Sequence, residues 1–136
     1  MNFELTSEQK DIRQLVRQFA EKEIKPHVKE NDAKSIFPTE QVKALGEMGL
    51  MGVCIPTEYG GSGMDAISYA IVIEELSRVC PSTAVITSVN NSLVSEVIKN
   101  FGTEDQKQKY LIPLAKGEHL GAYLSLIHIS EPTRPY

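Results

Sequence analysis

The sequence predicts an all-α domain, and three observations carry that prediction. Apolar residues recur at helical rather than strand spacing through most of the chain, two Thr-x-x-Gln capping boxes open stretches of that spacing, and proline or glycine stands where each stretch stops. No internal repeat and no βαβ pattern interrupts the order. The length of 136 residues, with 41% hydrophobic and 24% charged side chains, suits one folded domain with a real core.

Thr6-x-x-Gln9 is the first capping box, and Ile12, Leu15, Val16, Phe19 and Ile24 follow it at helical spacing. The first helix is expected from about Ser7 to about Ile24, with Pro26 ending or kinking it. A second helix starts at Thr39 after Pro38; Val42, Leu45 and Met48 form its face, and Gly49 is well placed as a C-terminal glycine. Leu50 to Pro56, LMGVCIP, is apolar without helical period and reads as an extended segment entering the glycine-rich turn at residues 60–63. Asp65 opens a third helix whose residues 66–76 leave little polar face, which predicts burial on several sides. Pro81 breaks the chain, and Ser82 or Thr83 can cap a fourth helix carrying Ala84, Val85, Ile86, Val89, Leu93, Val94, Val97 and Ile98 to about Phe101-Gly102. Thr103-x-x-Gln106 begins a fifth helix through Tyr110 and Leu111 that Pro113 limits, and Gly117 and Gly121 frame a turn into the extended Ala122 and Tyr123.

Composition excludes several function classes. The formal net charge is -4 and the basic residues are scattered, so the basic stripe of a nucleic-acid binder is missing. Cys54 and Cys80 stand alone, with no CxxC pair and no histidine at ligand spacing; buried reduced thiols in a cytoplasmic protein are expected, and no metal site. No apolar run reaches the roughly 18 residues of a membrane span, and a protein without a signal or transit segment ahead of the first helix is expected.

Each candidate motif has a plainer structural role. GGSG at 60–63 lacks the spacing of a phosphate loop, so a tight turn with positive φ angles is expected. Glu74 and Glu75 point about 100° apart on a helix and suit a solvated or salt-bridged face rather than acid-base chemistry. His27 and His119, far apart in polar surroundings, read as surface residues. No catalytic residue is assigned.

The last thirteen residues, Leu124 to Tyr136, follow no period. LSLIHISEPTR within them resembles one reading frame of a transposase-end adapter used in sequencing libraries. The expectation is a non-native tail over 124–136, and its Ser130-Glu131-Pro132 is set aside.

Six blocks carry a second resemblance: LTSEQKDIRQLVRQFAEKEI at the start, LGEMGLMGVCIPTEYGGSGMD at 45–65, IEELSRVCPSTA at 73–84, NNSL at 90–93, FGTEDQKQKYLIPLAKGE at 101–118 and GAY at 121–123. In this order they resemble the amino-terminal helical domain of the flavin-dependent acyl-CoA dehydrogenases, over residues 1–123, with 121–123 starting the middle β-domain. SVNNSL at 88–93 is most similar to the short-chain, butyryl-type members.

The resemblance implies a fold of three domains, this helical one followed by a β-domain and a carboxy-terminal four-helix bundle, with the chain ending before the last two. It implies oxidation of an acyl-CoA to the trans-2-enoyl thioester: a glutamate takes the α-proton while the β-hydrogen leaves as hydride to FAD. That base and most flavin contacts belong to the absent domains, so the fragment itself is expected to be inactive and not to retain FAD. The resemblance also implies a homotetrameric parent and electron-transferring flavoprotein as its acceptor. The first domain contributes a wall of the acyl cavity through Val85, Ile86, Val89 and Leu93, of which positions 86, 89 and 93 recur at i, i+3 and i+7. Tyr123 is the one residue placed toward the flavin. Flavin acyl-CoA oxidases and nitroalkane-type oxidases share this domain, and a helical interaction module without catalysis is the reading from a different class.

Overall fold

The computed structural model describes residues 4–124, and among these every regular element is helical. The expected tail from 125 onward lies outside the described residues.

The first helical run begins with α1 (Ser7–Phe19), capped as expected: the Thr6 hydroxyl accepts from Gln9 N–H at 3.2 Å and the Gln9 side chain accepts from Thr6 N–H at 3.1 Å. It does not stop near Ile24. A π-helical turn, Ala20–Ile24, and a 3-10 turn, Lys25–His27, carry it past Pro26 into α2 (Val28–Lys34). The second proline repeats this arrangement. After α7 (Glu104–Gln106) a π turn, Lys107–Leu111, precedes α8 (Ile112–Ala115), so Pro113 lies inside the helical path rather than limiting it. A proline ring clashes with the carbonyl four residues back and lacks an N–H; the widened i→i+5 turn before each proline gives the ring room.

Beyond α3 (Thr39–Glu47), Gly49 takes φ +74°, the left-handed helix end that the sequence predicted. The apolar LMGVCIP segment is not extended. Leu50–Gly52 forms a 3-10 turn, and the chain then folds back, with Ser62, Gly63 and Met64 N–H donating to the Gly52, Ile55 and Val53 carbonyls at 2.9, 2.9 and 2.8 Å. Turning inward buries Leu50, Met51 and Val53 in the main core and Ile55 in a second cluster with Leu111 and Ala115, which a strand of alternating faces could not do.

Asp65 caps α4 (Ala66–Val79), its carboxylate accepting from Ser68 N–H at 2.7 Å and from the Gln9 side chain at 2.9 Å. The α4 helix packs along α1, burying Ile71, Val72 and Leu76 against Ile12, Val16 and Ala20. It also packs against α5 (Pro81–Ser88), with Ala84 in the same core, while its remaining face stays in water, Ile67 being 54% exposed. The break expected at Pro81 is there, with α4 ending at Val79 and Cys80 extended; Pro81 is the first residue of α5, where its missing N–H costs nothing, and neither Ser82 nor Thr83 caps it. A π turn, Val89–Ser95, joins α5 to α6 (Glu96–Phe101).

This helical path, 81–101, turns the opposite side inward from the one its apolar residues suggested. Thr83, Thr87, Asn90, Asn91 and Ser95 are buried, whereas Val85 is 59%, Leu93 45%, Val97 46% and Phe101 84% exposed. Polar groups can face a core only when their hydrogen bonds are made there. Most of these are, through contacts described below.

Candidate functional site

The candidate site is the outward face of helix 81–101. Residues four apart on an α-helix drift by about 40°, so a stripe through 85, 89, 93, 97 and 101 would spiral away. The π turn Val89–Ser95 has i→i+5 bonds, Glu96 N–H reaching Asn91 C=O, and this wider turn reverses the drift over its length. Five apolar residues therefore share one face along about 24 Å of helix. Val85 and Leu93 stand outward on it, Val89 is half-buried, and Ile86 leans inward against the core. None of these four predicted residues lines either of the two clefts described below. They form one open wall that needs an opposing surface.

Beneath the wall lies a network that sequence reasoning missed. The Asn91 carboxamide oxygen accepts from Val53 N–H at 2.7 Å, and its NH2 donates to the Leu50 and Thr87 carbonyls, both at 2.9 Å. Asn90 donates to the Met51 carbonyl at 2.9 Å and the Leu114 carbonyl at 3.1 Å, and its oxygen accepts from Gly121 N–H at 2.9 Å. The two side chains thus fasten the helix to the 50–53 turn, to α8 and to the segment leaving the domain. The available signal was the polar side of this helix, Thr83, Thr87, Asn90, Asn91 and Ser95, which recurs at helical spacing as the apolar side does.

Beside the wall, the Tyr69 hydroxyl and Ser88 Oγ are 2.9 Å apart. Next to them a cleft of about 210 Å³ is lined by Cys54, Ala66, Tyr69, Asn91, Ser92 and Glu96. Cys54 is a free thiol there, and burial pushes its pKa up, which disfavours the reactive thiolate. Cys80 is likewise free. A second groove, of about 410 Å³, runs between α2 and the start of α5 on another side of the domain.

The remaining candidates are structural. Glu75 is 2% exposed and receives a two-pronged contact from Arg17 at 2.7 and 2.9 Å, with Arg78 at 2.9 Å. Arg17 first, and Arg78 after it, hold the Glu75 carboxyl below the usual range against the opposing effect of burial. Glu74 is exposed and paired with Arg13 at 3.3 Å. This salt-bridged face joins α1 to α4. In the glycine turn, the N–H groups of Gly60, Gly61, Ser62 and Gly63 all donate to backbone carbonyls of their own fold, leaving none of the four to cradle a phosphate. Both His27 and His119 are exposed, and the described residues contain no group of side chains that could hold a metal ion. Among them, too, no helix is long and apolar enough to cross a membrane. Tyr123 stands 55% exposed on the segment that Asn90 holds at Gly121.

Comparison with known proteins bears on this arrangement. Residues 6–118 match the family described as acyl-CoA dehydrogenase, N-terminal domain. The chain is 54% identical over 123 residues to the short-chain specific acyl-CoA dehydrogenase of Clostridium acetobutylicum, covering 90% of this chain and 32% of that protein. It superposes on butyryl-CoA dehydrogenase from Megasphaera elsdenii with a TM-score of 0.83 at 39% identity, covering 88% of this chain and 32% of that one. A chain in a structure described as electron transferring flavoprotein of Acidaminococcus fermentans, bearing on flavin-based electron bifurcation, superposes with a TM-score of 0.85 at 45% identity, with coverage of 88% and 32%. The chain therefore spans about a third of the length of the relatives it matches.

Proposed function

Since this chain belongs to the acyl-CoA dehydrogenase family by its N-terminal domain, we propose that it is the helical domain of an enzyme oxidising short-chain acyl-CoA to trans-2-enoyl-CoA. The observation that carries the proposal is the outward apolar wall of Val85, Val89 and Leu93, with Ile86 at its inner edge. A domain folded only for itself would have turned these residues inward and left Thr87, Asn90 and Asn91 in water. Closed by the rest of the parent, the wall excludes water from an acyl chain and limits its length.

FAD supplies the hydride acceptor in such enzymes. The described residues do not fit it by themselves: Tyr123 offers a single exposed ring, and the glycine turn has spent its amides internally. The proposed parent draws its flavin contacts and its α-proton base from the two further domains, assembles as a homotetramer and passes electrons to electron-transferring flavoprotein in the cytoplasm. Residues 1–123 form the native domain and 124–136 the foreign tail.

The test is to trim the adapter-like codons, read the parent locus onward, and express the full-length protein. Acyl-CoA-dependent dye reduction by a yellow protein, fastest with butyryl-CoA, supports the proposal. A stop codon directly after Tyr123 would favour the interaction module instead. Consumption of oxygen in place of dye reduction would favour an oxidase.

A further inference from the structure

We propose that Asn90 is a positioning residue, fixing the segment 121–123 to the helix that carries the acyl wall so that the wall and the following domain keep one register. This rests on the function proposed above.

Three observations converge. The Asn90 oxygen takes Gly121 N–H at 2.9 Å across 31 residues of sequence, while its NH2 is held by the Met51 and Leu114 carbonyls, so the amide cannot swing away from Gly121 without losing both. Asn90 is 0% exposed and neighbours Val89 on the same turn, so the residue that grips the exit also sets the wall. Gly121 has no room to be anything else: a Cβ there would meet the Val94 side chain at 2.7 Å. The exit segment, with Tyr123 two residues on, is thereby pressed onto the wall helix from two directions. Asn91, by contrast, makes no contact with the exit and serves the 50–53 turn.

The experiment separates this role from general support. In the chain itself, amide exchange should show Gly121 protected about tenfold over Ala122, as one buried hydrogen bond provides. Asn90→Ala should abolish that protection while Val53, held by Asn91, keeps its own. Because Asn90→Ala also frees two buried carbonyls and can unfold the domain, the second variant leaves Asn90 untouched. Gly121→Ala pushes the exit off Val94, and Val94→Ala restores the space. In the full-length parent, Gly121→Ala should shift the hexanoyl-CoA to butyryl-CoA ratio of kcat/KM by several-fold, and adding Val94→Ala should bring it back. Gly121 exchanging as fast as Ala122, or a ratio unmoved by Gly121→Ala, overturns the proposal. Failure of the functional reading is seen separately, as a Val89→Phe parent whose ratio does not change, because the exchange measurement needs no substrate.

Discussion

Replacing Val89 by Phe distinguishes an acyl wall from domain core by size and by sign. Phenylalanine adds about two methylene groups of bulk at the middle of the stripe. If that bulk occupies space the fifth and sixth carbons of a substrate require, each excluded methylene forfeits about 0.8 kcal/mol. Hexanoyl-CoA then loses about 1.6 kcal/mol relative to butyryl-CoA, which is roughly a 14-fold fall in the ratio of their kcat/KM values. Stability should change little, because Val85 and Leu93 on either side are 59% and 45% exposed and the new ring has open space to enter. Were Val89 core, overpacking would instead cost about 1–3 kcal/mol of stability and affect both substrates alike. The assay is the ratio in wild-type and variant full-length parent with thermal melting alongside. An unchanged ratio together with a lowered melting temperature refutes the reasoning.

Four further outcomes follow from the geometry. Glu75→Gln should cost about 1–2 kcal/mol at neutral pH, since the arginines are left able to turn to water; because the folded carboxyl is held low, its contribution is complete above about pH 4.3 and fades on acidification through the depressed value, so the gap between wild type and variant in urea melts should close in acid. Gly61→Ala, whose Cβ would meet the Ile55 carbonyl oxygen at 2.1 Å, should destabilise more than Gly60→Ala, where φ of +78° sets a cost of about 1–2 kcal/mol and the Cβ meets only the flexible Lys116 side chain at 3.1 Å; equal midpoints in urea would contradict this. Asn91→Ala removes one acceptor and two donor contacts from buried backbone groups and should cost at least about 3 kcal/mol by chemical denaturation. Purified as it stands, the chain should show no flavin absorption, and a yellow stoichiometric complex would count against the division of the site among three domains.

Much of the fold was legible because its signals are local. A capping box such as Thr6 with Gln9 closes within one turn, and a left-handed glycine such as Gly49 serves the helix it ends, so the order of five helical runs could be read from neighbours in sequence. The prolines misled. Pro26 and Pro113 carry the usual mark of a helix end, yet each follows a π turn that accommodates the ring, and that widening has no pattern of its own in the residues. The candidate wall was legible as an apolar stripe on one helix, while its direction was not.

By itself, then, the sequence determined five helical runs, where most begin, and that helix 81–101 has an apolar and a polar side, but not the continuation through 25–34 or the turn at 50–52. Which side meets the core was decided by tertiary structure. Asn90 and Asn91 face inward because the 50–53 turn and α8 present backbone groups that their carboxamides can satisfy. A buried polar side chain is tolerable only where such partners lie within hydrogen-bonding distance. Those partners stand 24 to 41 residues away, beyond the reach of any periodicity.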